Sequence, residues 1–157
     1  MTAPRSATIG CVSHVIRQEI VIDAPAEVVW RTITEPDQIR LWFADRVELE
    51  PRPGATGRLT FDTADGDLVA TLTVQSAEEP SRLAYVWEHP AGNDPLLVEF
   101  TLVAEAPERT RLRVQETGLD LLAWTEERKA TYAKDHNQGW AFHFDRIQRL
   151  LTDSTPR

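Results

Sequence analysis

His136-Asn137-Gln138-Gly139-Trp140-Ala141-Phe142-His143-Phe144-Asp145-Arg146-Ile147-Gln148-Arg149-Leu150-Leu151 decides the fold. His136, Trp140, His143, Phe144, Ile147, Leu150 and Leu151 recur at i, i+4, i+7, i+8, i+11, i+14 and i+15, the stripe of an amphipathic helix. Asp145, Arg146, Gln148 and Arg149 take its other side. A stripe of that length must be buried against an apolar surface, and the residues upstream supply one.

Between residues 46 and 117 the texture is that of strands separated by turns. Residues 46–50 end at Pro51-Arg52-Pro53-Gly54. Residues 57–62 carry Leu59 and Phe61 on one face, and Asp65-Gly66 signals a tight hairpin. Leu68, Ala70, Leu72 and Val74 alternate strictly through 67–77, as do Leu83, Tyr85 and Trp87 through 82–89. Turn formers at 90–95 lead to 96–104, with Leu96, Val98, Phe100 and Leu102 on one face. Residues 110–117 turn Leu112 and Val114 inward and Arg111, Arg113 and Gln115 outward, so Glu116 falls on the inward parity. An earlier strand spans 15–23, with Ile16, Ile20 and Ile22 on one face. Ala24-Pro25 ends it and opens a helix over 26–34. Glu35-Pro36-Asp37 starts a second short helix reaching Phe43, because Pro36 cannot continue the first. The polar stretch 125–134 reads as a short solvated helix or a loop.

These elements predict an α+β fold: a curved antiparallel sheet of about seven strands wrapped on a long C-terminal helix, with two short helices after the first strand. One domain is expected over residues 14–152, with flexible tails at 1–13 and 153–157. The length of 157 residues suits a single core.

The charge balance of 17 Lys+Arg against 25 Asp+Glu gives a net charge of −8. Such a surface repels phosphate backbones and anionic headgroups, so neither nucleic acid nor membrane insertion is expected. The single cysteine, Cys11, allows no intrachain disulfide, and no stretch reads as a signal peptide or membrane span; a cytoplasmic location is the expectation.

No G-x-S-x-G elbow, P-loop, dinucleotide glycine fingerprint, HExxH or CxxC is present, so no cofactor and no metal are expected. His136 and His143 stand seven residues apart, roughly 10.5 Å along a helix, too far to share one ion. For each, a hydrogen-bonded structural histidine competes with a polar ligand anchor or a base. Glu116 reads as a solvated glutamate at a strand end, with pairing to one of those histidines as the alternative. Gly139 marks either a close helix–sheet approach or room for a ligand.

Several motifs in order are similar to the START-like superfamily, the helix-grip fold: residues 22–30 (Ile22-Asp23-Ala24-Pro25 through Trp30), residues 35–43 (Glu35-Pro36-Asp37 through Trp42-Phe43), Gly57-Arg58-Leu59, Val114-Gln115-Glu116-Thr117-Gly118 and Asn137-Gln138-Gly139-Trp140. That superfamily includes the birch pollen allergen, polyketide cyclases and lipid-transfer domains. The chain most resembles its homologues of the activator of the 90-kDa heat-shock protein's ATPase. The resemblance implies a cavity between sheet and helix for a small, mostly apolar or aromatic molecule. Inward parity and the helical stripe place Trp42, Phe61, Leu72, Tyr85, Trp87, Phe100, Val114, His136, Trp140 and His143 as candidate lining residues. A polyketide cyclase- or hydrolase-type enzyme using the same cavity, with His143 as its proton-transfer group, is the alternative. A chaperone-interaction module is the third reading. It is the weaker one, since the eukaryotic activator uses a separate N-terminal domain for which this length leaves no room.

Overall fold

A computed structural model describes residues 14–88 and 94–153. Cys11, the N-terminal tail, most of the expected C-terminal tail and the turn formers at 90–93 lie outside the described residues. The order is β1 (Ile16–Ile22), α1 (Ala26–Thr34), α2 (Pro36–Ile39), β2 (Arg46–Glu48), β3 (Thr56–Thr63), β4 (Gly66–Glu78), β5 (Arg82–Glu88), β6 (Pro95–Ala106), β7 (Arg109–Thr117), a 3₁₀ turn (Leu119–Leu121) and α3 (Glu126–Asp153). The seven strands form one antiparallel sheet in the order β1-β7-β6-β5-β4-β3-β2. The α+β helix-grip reading therefore holds: a meander of six strands, closed on one side by β1, faces a 28-residue helix.

Two local readings differ. The second short helix stops at Ile39, and the chain reaches Phe43 through turns. Leu41 and Trp42 donate their N–H groups three residues back, to Gln38 and Ile39, while Phe43 donates to Ile39. That tightening leaves the adjacent rings of Trp42 and Phe43 stacked, with centroids 5.1 Å apart and planes at 14°. Trp42 is buried and its indole N–H donates to the Thr32 carbonyl at 2.8 Å; Phe43 stays partly exposed. The second difference is at 125–134, which is neither loop nor separate helix. It is the first third of α3, capped by Thr125, whose hydroxyl accepts the Arg128 N–H at 3.1 Å.

The helix is fastened to the exposed edge of the sheet by side-chain amides. Asn137 accepts the Arg17 N–H at 2.9 Å and donates to the Val15 carbonyl at 2.8 Å. Gln148 donates to the Val21 carbonyl at 2.8 Å. These bonds satisfy free edge groups of β1, which both orients α3 and blunts the edge against strand addition. The core lies between the concave sheet face and α1, α2 and α3, with Phe100, Leu112, Val114, Phe144 and Ile147 at its centre.

Register places the polar exception in that core. Across the sheet, Ile16, Glu116, Val98, Tyr85 and Val74 stand opposite one another on successive strands, forming one inward row. Trp87 belongs to the adjacent row, between Leu72 and Leu96. Gly118, at φ +109°, then turns the chain out of β7 where a side chain would crowd Leu96.

Candidate functional site

Glu116 is 2% exposed, so the solvated strand-end reading is overturned. Its parity drives it into the core, and four donors converge on it. Trp87 Nε1 and Tyr132 Oη donate to Oε2 at 3.1 and 2.8 Å. His136 Nδ1 and Trp140 Nε1 donate to Oε1 at 2.9 and 3.1 Å. A carboxylate offers about four lone-pair positions and accepts only when ionised, so this arrangement fits the anion with every position filled. Burial pushes the carboxyl upward, but the hydrogen bond and charge of His136, then the bonds from Trp140 and Tyr132, outweigh it and hold Glu116 below the usual carboxylate range. Burial, followed by the charge of Glu116, pushes the hydroxyls of Tyr132 and Tyr85 far upward, so both stay neutral. Three of the four donors, Tyr132, His136 and Trp140, are four residues apart and so share one face of α3. The Tyr132 and His136 rings stack at 3.8 Å.

Beside this cluster lies a cleft of about 350 Å³, lined by Phe43, Phe61, Leu68, Trp87, Asp135, His136, Gly139, Trp140 and His143. That is near the small end of the range for small-molecule sites, about 300–1,000 Å³. Phe43, Trp87 and Trp140 have ring planes within 30° of one another and centroids 5.1 to 6.1 Å apart. Phe61 meets Phe43 edge-on at 5.4 Å. A Cβ placed at Gly139 meets nothing within 4 Å, so this glycine marks room rather than close packing.

His143 supplies the second polar group. Its Nδ1 lies 3.0 Å from the Trp42 carbonyl and must donate to it. Nε2 then carries the lone pair in the neutral ring. Burial lowers the affinity of His143 for a proton, the Trp42 carbonyl opposes this, and the Arg146 charge adds to it; the net shift is below the ordinary histidine value.

The family model described as Activator of Hsp90 ATPase homolog 1-like protein matches residues 23–152. The chain belongs to this family. No curated protein matches it. Among solved structures, MLL2253 from Mesorhizobium loti is 24% identical with a TM-score of 0.73, covering 90% of this chain and 99% of that one. DynU16, from the dynemicin biosynthetic locus, is 23% identical with a TM-score of 0.75 over 92% of this chain; the match spans 49% of DynU16. CalU16 from Micromonospora echinospora is 23% identical with a TM-score of 0.64, covering 88% of this chain and 74% of that one. These likenesses show the shared fold.

In this family member the ten candidate lining residues divide. Phe61, Trp87, His136, Trp140 and His143 come together at the cleft. Trp42, Leu72, Tyr85 and Phe100 instead border a void of only about 10 Å³ deeper in the core, and Val114 is fully buried. Inward parity alone therefore does not separate cleft from core.

Sequence reasoning did not single out Phe43, Leu68, Asp135 or Tyr132. Tyr132 carried a usable signal, since it extends the His136–Trp140 face by one turn. Phe43 carried a weaker one, as the second of two adjacent aromatics. Among the described residues no group of three or more His, Cys, Asp or Glu is placed to hold a metal ion, and no helix is long and apolar enough to cross a membrane.

Proposed function

We propose that the chain binds a small, mostly apolar molecule in the cleft between β3, β4 and β5 on one side and α3 on the other. The carrying observation is the cleft itself: aromatic walls, an unfilled space over Gly139, and His136 and His143 as its polar points. A Cβ at Gly139 meets no neighbour within 4 Å, and Gly139 lines the cleft. Gly139→Leu should therefore fold at least as stably as the parent, since leucine is the better helix former by up to about 1 kcal/mol. It should also weaken binding of the uncharged fluorescent probe N-phenyl-1-naphthylamine by more than about tenfold, by occupying the site. Equal probe binding by parent and variant would place the ligand elsewhere; no binding by either would remove the reading.

A proton-transfer enzyme is the second reading, and His143 favours it. A neutral imidazole with Nδ1 pinned by a carbonyl keeps a basic Nε2 beside an apolar cleft, the arrangement a general base needs.

A further inference from the structure

Tyr85 is 3% exposed, and its hydroxyl has no hydrogen-bond partner among the described residues. Its ring packs against Trp87 and Phe100, at centroid distances of 6.0 and 6.2 Å. A buried hydroxyl without a partner costs free energy that a phenylalanine at the same place would avoid, and native cores hold few such groups. Burial, then the charge of Glu116, pushes this hydroxyl far upward, so it stays a neutral O–H able to donate. Tyr85 borders the inner void of about 10 Å³, with Trp42, Leu59, Leu72 and Phe100 among its neighbours there. Water does not answer the hydroxyl: a buried water needs about two to four polar partners. The other side chains lining the void are apolar except for the Trp42 indole, whose N–H is spent on the Thr32 carbonyl. Phe43 is the one described residue that lines both this void and the outer cleft, so its ring is the partition between them. It sits in the turns after the short helix rather than within it, and keeps an exposed side. Turned aside, it would leave one continuous space from solvent to Tyr85, a minor conformation that a guest makes dominant.

We infer that Phe43 is a gate, and that behind it Tyr85 donates a hydrogen bond to the leading end of an aliphatic guest carrying a neutral carbonyl oxygen: a ketone, aldehyde or ester. This rests on the ligand-binding reading, since the guest enters through the cleft. Among the described residues no cationic side chain lines the void, so a carboxylate end would lie buried without a counter-charge. The partition is a single ring, and the passage it leaves suits an unbranched chain better than a fused ring system.

The test begins without ligand. Tyr85→Phe deletes the hydroxyl and keeps the ring, so its melting temperature should equal or exceed the parent's; a drop of several degrees would show the hydroxyl already partnered and overturn the inference. Calorimetric titration with 2-nonanone comes next. The parent should bind this ketone about fivefold more tightly than Tyr85→Phe does, the equivalent of one net hydrogen bond, while N-phenyl-1-naphthylamine in the outer cleft binds both alike. With 2-nonanone carrying ¹³C at its carbonyl, difference infrared spectra should show the stretch moved to lower frequency in the parent and not in Tyr85→Phe. Phe43→Ala removes the partition, so stopped-flow tryptophan fluorescence should show the ketone associating faster than with the parent; an unchanged rate would overturn the gate. Equal ketone affinities, an unshifted carbonyl, or a ketone that fails to bind where the naphthylamine succeeds would overturn the role of Tyr85 and leave binding in the outer cleft intact. Failure of both compounds to bind would remove the ligand-binding reading, and this inference with it.

Discussion

Glu116→Gln removes the charge from the core and changes almost no volume. The carboxylate receives two donors on each oxygen. Glutamine keeps one carbonyl oxygen, which can serve two of them. Its NH₂ group then faces the other pair; the Tyr132 hydroxyl or a neutral His136 ring can turn to accept from it, but in either orientation one indole N–H, of Trp87 or Trp140, is left against an N–H. Hydrogen bonds to a charged group contribute about 1.5–3 kcal/mol each, and a buried donor left unsatisfied costs about 1–3 kcal/mol. With one indole N–H stranded and the charge assistance lost from the remaining bonds, a loss of about 4 kcal/mol is expected from a total stability of about 5–15 kcal/mol. At a urea slope of about 2 kcal/mol/M this moves the denaturation midpoint down by about 2 M with the slope unchanged.

The pH dependence has a definite sign. Glu116 sits below its ordinary value, near 4.5, when folded. Its contribution is therefore complete above that value and is lost as pH falls through the lower folded value. The gap between parent and Glu116→Gln should be widest at neutral pH and close in acid. Urea titrations followed by far-ultraviolet circular dichroism at neutral and acidic pH measure both. A midpoint change under about 0.5 M at neutral pH, or a gap that widens in acid, would refute the four-donor carboxylate.

Other outcomes follow from the same geometry. His143 should titrate below the ordinary histidine range in a proton NMR titration. Because its folded proton affinity is lowered, the unfolded chain takes up that proton first, and this residue's contribution to stability declines as pH falls below about 6.5. A titration above that value would contradict its burial beside Arg146. Chelation with EDTA should leave the melting temperature unchanged, since no ligand cluster is placed among the described residues. A drop of several degrees, with stoichiometric metal in the native protein, would refute this.

The fold was legible because two periods dominate the chain. Alternation through Leu68–Val74 and Leu83–Trp87 specifies strands whose register follows from short turns, and the His136–Leu151 stripe specifies the helix they grip. The site was legible only in part. Parity correctly turned Glu116 inward, yet a glutamate among apolar residues reads as solvated until its partners are known. Those partners come from β5 and three turns of α3, and Trp87 stands 29 residues from Glu116 in sequence. Likewise Trp42 and Phe43 are neighbours with stacked rings, yet Trp42 is buried while Phe43 keeps an exposed side at the cleft, a difference set by how the turns after Ile39 seat them. Such outcomes depend on tertiary approach, which no local pattern encodes.

The central claim is that the space between sheet and α3 is a ligand site, and the most direct measurement is a two-dimensional ¹H–¹⁵N titration of the protein with 2-naphthol. The account predicts saturable shifts of the Gly139 amide and the Trp87 and Trp140 indole N–H signals, with the Trp124 indole, outside the cleft, unmoved. Absence of shifts at these positions, or shifts confined to Trp124 and the outer face of the sheet, would contradict it.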